Sequence, residues 1–243
     1  VGYPTANNQG LRAFGFRQKP STDRRSEAPR FALLLISDTE IPPDALQTMI
    51  NFMEQHGEAG AVGPKLVRPD GSLDLACRRS FPTPEVSFYR MTGLSRLFPQ
   101  SRRFGRYNLT YLDVDKLAEV DSVVGAFMLV RREAIKDVGL MDETFFMYGE
   151  DLDWAYRIRD AGWKIYYNPA VTVLHVKKAS TRLNPRAQVE FYRAMEIFYL
   201  KHFAAQTPWW AHTLILGTVR VRSKLEEIRL AVSTGRAGRE ARL

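Results

Sequence analysis

Residues Phe145 to Arg159 read FFMYGEDLDWAYRIR. Three carboxylates, Glu150, Asp151 and Asp153, fall within four residues, behind an aromatic run and Gly149. After them Leu152, Ala155, Tyr156 and Arg159 recur at the three- and four-residue steps of one helix side. Gly149 marks a break before that helix and Gly162 a stop after it. The carboxylates are therefore expected in the first turn, where free N–H groups and the helix dipole favour their ionised forms. Such a carboxylate has two chemical uses: it takes a proton from a substrate hydroxyl, or it helps hold a metal. The same stretch reads equally well as helix capping plus an Asp153–Arg157 pair at i, i+4.

Outward from this helix, apolar runs alternate with helical segments. Phe31 to Ile36 (FALLLI) is a continuous apolar run, the mark of a strand covered on both faces. It ends at Ser37-Asp38-Thr39-Glu40, and Ala45 to His56 follows as a helix. Ala59 to Val67 is a second buried strand, and Pro69-Asp70-Gly71-Ser72 is a turn that makes Lys65 to Leu75 a hairpin. Arg78 to Tyr111, rich in Arg, Pro and aromatics, reads as loops and short helices forming a flap. Val120 to Val130 is apolar and broken at Gly125-Ala126; Arg132 to Val138 is a short helix. Trp163 to Tyr167 and Ala170 to His175 read as two short strands joined at Asn168-Pro169. Asn7 to Phe14, Pro185 to Phe203 and the residues after Pro208 complete the helices. This alternation predicts an α/β domain with a mostly parallel sheet, in which ligands bind beyond the carboxyl ends of strands.

The formal net charge of +8 is unevenly placed. Residues 177–243 hold 13 Lys and Arg against 5 Asp and Glu, so the rest of the chain is neutral. A basic tail points to an anionic partner such as a membrane surface or a lipid phosphate. Trp209, Trp210 and Leu214-Ile215-Leu216, followed by Arg220, Arg222 and Lys224, suit a helix lying in a bilayer interface. Packing on the domain or on a second copy would use the same residues. No segment reaches the ~20 apolar residues of a membrane span. The tail lacks a nucleic-acid-binding motif, which argues against nucleic acid as partner. The single cysteine, Cys77, excludes an intramolecular disulfide.

Three further features bear on chemistry. Asp38 and Glu40, spaced D-x-E on an extended backbone, point the same way, and oxygen ligands of that kind suit Mg²⁺ or Mn²⁺. His175 ends a strand and is followed by Lys177 and Lys178. A strand-end histidine is more often structural than functional, and the two lysines serve equally as phosphate contacts or solvated charges.

Taken in order, the chain reads: apolar strand and D-x-E; VVGAFMLVRREA from Val123; GLMDETFFMYGEDLDWAYRIRDAGW from Gly139; and NPAVTVLH from Asn168. This order resembles the family 2 inverting glycosyltransferases of the GT-A fold, a Rossmann-like α/β architecture, and in particular their rhamnosyltransferase-like branch. Residues Gly2 to Arg12 are similar to that family's G-x-x-x-A-N-N-x-G-L-R segment. The resemblance implies a glycosyltransferase domain over residues 1–203 and a basic helical tail over 204–243. Asp38 and Glu40 then stand where the family has its metal-binding D-x-D, with His175 as a further ligand or diphosphate contact. Asp151 stands where the family has its catalytic base, and Glu150 beside it orients it or touches the acceptor. Gly125 and Ala126 line the sugar and acceptor pocket, Asn7 and Asn8 lie near the nucleotide, and Lys177 holds a phosphate. The implied partners are a nucleotide-sugar donor, a deoxyhexose such as rhamnose in its dTDP form in this branch, and a polyprenyl-linked or glycan acceptor. The implied location is the cytoplasm, at the inner face of the plasma membrane. Ser37 departs from the family's usual N-P-D, and Lys177-Lys178 stand where it usually has glycines. The resemblance also leads one to expect a preceding strand–helix–strand unit for the nucleobase, so that the sequence reads as N-terminally incomplete. A catalytically inactive fragment that keeps acceptor or lipid binding is the alternative expectation.

Overall fold

The computed structural model describes residues 2–16, 28–176 and 186–240, with side chains up to residue 232. Lys177 and Lys178 lie outside the described residues.

Among the described residues a six-stranded sheet forms the centre. Its strands are β1 (Phe31–Leu35), β2 (Thr39–Glu40), β3 (Ala59–Val67), β4 (Ala118–Val120), β5 (Phe127–Arg131) and β6 (Lys164–His175). The order is β1-β5-β3-β6-β2, with β4 pairing a further stretch of β6. Only β3 and β6 run parallel; the other pairings are antiparallel. The mixed α/β fold is as expected, but the sheet is mostly antiparallel rather than mostly parallel. The reason lies in the connections: β5 runs back between β1 and β3, β2 and β4 enter against β6, and only the longer path from β3 to β6, which passes through β4 and β5 and ends in α6, returns parallel.

The order also explains β1. Its apolar run predicts cover on both faces, yet it is the outer strand among those described, and Ala32 and Leu34 alternate with less buried neighbours. Leu35 is exposed. The expected strand from Val120 to Val130 is two strands, β4 and β5, separated by a segment through Gly125-Ala126. Conversely, the two expected strands on either side of Asn168-Pro169 are the single strand β6. Its register against β3 shifts between the Pro64–Asn168 and Lys65–Thr172 pairs, and Asn168 Oδ1 accepts the Ala170 N–H there. The irregularity absorbs Pro169 without ending the strand.

The helices are α1 (Tyr3–Ala13), α2 (Ala45–Gln55), α3 (Pro84–Met91), α4 (Leu94–Leu97), α5 (Arg132–Val138), α6 (Glu150–Asp160), α7 (Ala187–His202) and α8 (Trp209–Glu240). Met49 and Met53 of α2, with Trp154, Ala155 and Ile158 of α6, join Val62, Leu66, Phe127 and Met128 of the sheet in one core. Each of the larger aliphatic, Met and Phe side chains among these contributes about 1.5–3 kcal/mol of apolar burial. Phe145, Leu152, Ala194 and Phe198 form a second cluster that seats α7 on α6. α8 packs in turn on α7: Val219 is buried, Arg220 pairs with Glu196 at 2.7 Å, and the Tyr199 hydroxyl lies 3.0 Å from His212 Nδ1. No helix among the described residues is long and apolar enough to cross a membrane.

Candidate active site

The sheet brings the sequence motifs to one end. β1, β3 and β6 all finish there, β5 begins there, and β2 starts opposite His175. Two clusters of polar side chains lie at this end.

The first is centred on His175. Its Nδ1 lies 2.8 Å from Asp74 Oδ2, and its Nε2 lies 3.6 Å from Asp38 Oδ1. Asp74 is buried, and its other oxygen accepts the Ala76 N–H at 3.3 Å. A carboxylate on one ring nitrogen fixes the imidazole's orientation and leaves the other aimed at its target. Asp38 Oδ1 is buried and has no hydrogen-bond partner among the described residues. An orphaned carboxylate oxygen beside a fixed imidazole nitrogen is a donor pair that suits a divalent cation. Glu40 is exposed, one strand pair further along. Thus Asp38 and His175 come together as expected, and Glu40 stands at the solvent side of the pair. No group of three or more His, Cys, Asp or Glu arranged for a metal occurs among the described residues. A cation held by Asp38 and His175 would therefore need ligands beyond these described side chains, and Mg²⁺ and Mn²⁺ commonly take such ligands from substrate phosphates.

The second cluster is centred on Asp151, in the first turn of α6. Gly149 before it adopts the left-handed region at φ +79°, and a Cβ there would come within 3.1 Å of the Phe145 ring. A glycine is therefore required to start this helix where it does. Asp151 Oδ2 accepts from Arg79 Nη2 at 2.7 Å and from the Gly125 N–H at 3.0 Å; Oδ1 accepts the Leu152 N–H at 2.8 Å. Both Asp151 and Arg79 are buried. The negative charge of Asp151 is matched by a guanidinium and by two backbone N–H donors. Glu150 is buried beside it, and its Oε2 has no partner among the described residues. Burial, and then the charge of Asp151, lift the Glu150 pKa to about 8, against smaller opposing effects of its own backbone N–H and Arg79. Tyr3 closes the cluster by donating to the Gly125 carbonyl at 2.8 Å; burial and the two carboxylates push its phenol upward.

The Glu150 shift has a measurable sign. Folding raises this carboxyl from its ordinary 4.5 to about 8, so the folded chain keeps a proton that the unfolded chain has lost. Stability should fall as pH rises through that window. Glu150→Gln, neutral throughout, should flatten this slope and melt above the parent at pH 8. Thermal melts of both from pH 5 to 8 would check it; parallel curves would rule it out.

A short link joins the clusters. Gly125 gives its N–H to Asp151, and the next residue, Ala126, accepts the N–H of Ile36, two residues before Asp38. Gly125 has little room: a Cβ would lie 3.0 Å from the Tyr3 hydroxyl. Asn8 joins neither cluster through its side chain. It is buried, and its amide is taken up by both backbone groups of Met141 and by Glu143. Asn7 is half-buried and donates to the Tyr3 carbonyl within α1. Asp153 pairs with Arg157 at 2.9 Å, as the spacing predicts, and also meets Lys201 and His202 of α7. Burial raises its pKa, but these partners outweigh it and hold it at about 2. It is a structural anchor.

The residues that sequence reasoning missed are Asp74, Arg79 and Tyr3. A charged residue reads as surface, and nothing in the local spacing marks Asp74 or Arg79 as buried.

Comparison with known proteins adds the family. Residues 7–190 match the family described as glycosyltransferase like family 2. The chain is 26% identical over 228 residues to the N-acetylglucosaminyl-diphospho-decaprenol L-rhamnosyltransferase of Mycobacterium tuberculosis, covering 93% of this chain and 72% of that protein. A stretch of 56 residues is 41% identical to rhamnosyltransferase WbbL of Escherichia coli, covering 23% of this chain and 21% of that one. Among solved structures, that of GalNAc-T7 with UDP, GalNAc and Mn²⁺ aligns at a TM-score of 0.49 and 13% identity, covering 92% of this chain and 41% of its own. With the family match spanning most of its length, this chain belongs to glycosyltransferase like family 2.

Proposed function

We propose that this chain transfers a deoxyhexose such as rhamnose from a nucleotide diphosphate donor to a lipid-linked or glycan acceptor, with inversion at the anomeric carbon. One observation carries the reading. Two buried carboxylate oxygens, Asp38 Oδ1 and Glu150 Oε2, have no partner among the described residues, and they come from the two acidic motifs at one end of the sheet. A buried polar atom without a partner is costly. A substrate that meets both atoms would bring donor and acceptor to the same place.

In this reading Asp38 and His175 hold a divalent cation, Mg²⁺ or Mn²⁺, with Glu40 at its outer side. When bound, such a cation offsets the charge that builds on the leaving diphosphate. Asp74 positions His175 through the 2.8 Å contact on Nδ1. Asp151 takes the proton of the acceptor hydroxyl, using the acceptor capacity left on Oδ1. As that proton moves, the hydroxyl oxygen forms its bond to the anomeric carbon. The bond from that carbon to the diphosphate oxygen breaks, and its electron pair leaves with the diphosphate. Arg79 and the Gly125 N–H hold Asp151 in place for this step. Glu150, protonated over much of the physiological range, donates a hydrogen bond to the acceptor. The backbone at Gly125-Ala126 borders the sugar, and Asn7 and Asn8 stiffen α1 near the nucleotide side. Lys177 is assigned to a phosphate by its sequence position alone.

The relatives' names support this substrate class: one is a rhamnosyltransferase that acts on a diphospho-decaprenol-linked N-acetylglucosamine. α8 supports contact with a membrane surface, since Trp209, Trp210, Leu214, Leu225 and Ile228 are all exposed on it. The test is transfer from dTDP-L-rhamnose to a lipid-diphosphate-linked N-acetylglucosamine with Mn²⁺ present. The expected product has its anomeric configuration inverted, read by NMR. A product with retained configuration would overturn the assignment of Asp151.

A further inference from the structure

A cavity of about 670 Å³ lies between the flap helices α3 and α4, the start of α6, and helices α7 and α8. Its walls are mainly apolar and aromatic: Met91, Phe191, Tyr192, Met195, Phe198 and Val219. Three guanidiniums, Arg90, Arg96 and Arg222, also line it. Among the described residues no Asp or Glu lines it, and none of these arginines has a carboxylate partner. Elsewhere on this molecule arginines are commonly paired, as Arg12, Arg30, Arg103 and Arg220 are.

The cavity adjoins the catalytic carboxylates. Gly149 and Leu152, on either side of Glu150 and Asp151, belong to its lining. Tyr107 also lines it, and its hydroxyl acts on Arg79, the partner of Asp151. On the cavity side, the Arg90 guanidinium stacks over the Tyr107 ring at 4.3 Å. So two side chains, Tyr107 and then Arg79, link the arginine-lined space to Asp151.

Apolar walls with uncompensated cationic groups select a ligand that is itself both apolar and anionic. A neutral glycan would not use the arginines; a nucleotide would place only its base on the aromatic walls and leave the aliphatic ones, Met91, Met195 and Val219, unused, so competition by dTDP is part of the test below. We propose that this cavity binds the isoprenoid diphosphate part of a lipid-linked acceptor, with Arg96 and Arg222 on the diphosphate and the α7–α8 wall on the first isoprene units. The proposal rests on the sugar-transfer reading for its purpose, and it makes α8 part of the acceptor site. The exposed apolar residues of that helix lie along the same element as Val219 and Arg222, which suits a chain that continues into a lipid phase.

Farnesyl diphosphate is the probe, used below its micelle concentration and titrated calorimetrically into the full chain. It should bind at least ~10-fold more tightly than either inorganic diphosphate or farnesol, because each of these lacks half of the complementarity. Arg96→Gln/Arg222→Gln should weaken it by ~10-fold or more. Ser95→Glu, which places an acid in the same lining, should do likewise. Both variants alter residues outside the Asp38 and Asp151 clusters, so binding of dTDP with Mn²⁺ should be unchanged. Equal affinity for parent and variants, or displacement of the probe by dTDP, would overturn the proposal. Sugar transfer to a water-soluble short acceptor separates the two readings: its presence without a farnesyl diphosphate site keeps the transfer and removes the cavity assignment.

Discussion

Asp151→Asn is expected to slow sugar transfer by ~10²–10⁴-fold, the usual contribution of a positioned proton acceptor. Donor affinity should be nearly unchanged. The substitution keeps shape and still offers a carbonyl oxygen to the Gly125 N–H, but the amide cannot take the acceptor's proton. It also removes the negative charge that faces Arg79 at 2.7 Å in a buried setting. Breaking such a pair costs about 3–5 kcal/mol, because a charge is left without its counterpart. A loss of rate therefore has to be separated from a loss of fold. Arg79→Met/Asp151→Asn removes both charges and should melt above Asp151→Asn alone, while staying as inactive. Thermal melts and initial rates on the three proteins would show this. Substantial turnover by a folded Asp151→Asn would take the proton-accepting role from Asp151 and leave Glu150 as its holder.

The second large effect is expected at the other cluster. Asp38→Asn should lower the affinity for dTDP or UDP in Mn²⁺ by at least ~10²-fold and leave the affinity without metal unchanged. Removing a group that merely orients a metal ligand costs ~10–100-fold, so a direct ligand should cost no less. Asp74→Asn belongs to that milder class, since it meets His175 at 2.8 Å on the ring nitrogen away from Asp38. Calorimetry with and without Mn²⁺ ranks the three proteins. Equal metal dependence in parent and Asp38→Asn would remove the cation from this pair.

Much of the fold was legible because its periodicities are strong. The helix behind Gly149, the strand Ala59–Val67 and the helix Arg132–Val138 follow directly from their spacing. The antiparallel share of the sheet was not legible. Apolar runs report burial, and burial is the same whichever way a neighbouring strand runs. Nor was the continuity of β6 visible, because an Asn-Pro pair is a turn signal unless a bulge absorbs it, and the bulge depends on β3 alongside. At the site, the motif residues were visible and their supports were not. Asp38 and His175 meet as their motifs imply. Asp74 and Arg79 lie far from their partners in sequence, by 101 and 72 residues, and only tertiary structure joins them. Asn8 shows the converse: an asparagine in a family-like segment turns out to be engaged by Met141 and Glu143.

One short piece of backbone has a mechanical meaning. Asp74 braces the His175 imidazole at one end of it and Arg79 braces the Asp151 carboxylate at the other, with the single 3-10 turn Leu75–Cys77 between them. Both clusters are thereby bolted to the same bracket. If the two clusters have the roles proposed above, a displacement of this turn would act on the cation pair and on the proton acceptor together, with no longer-range signal needed.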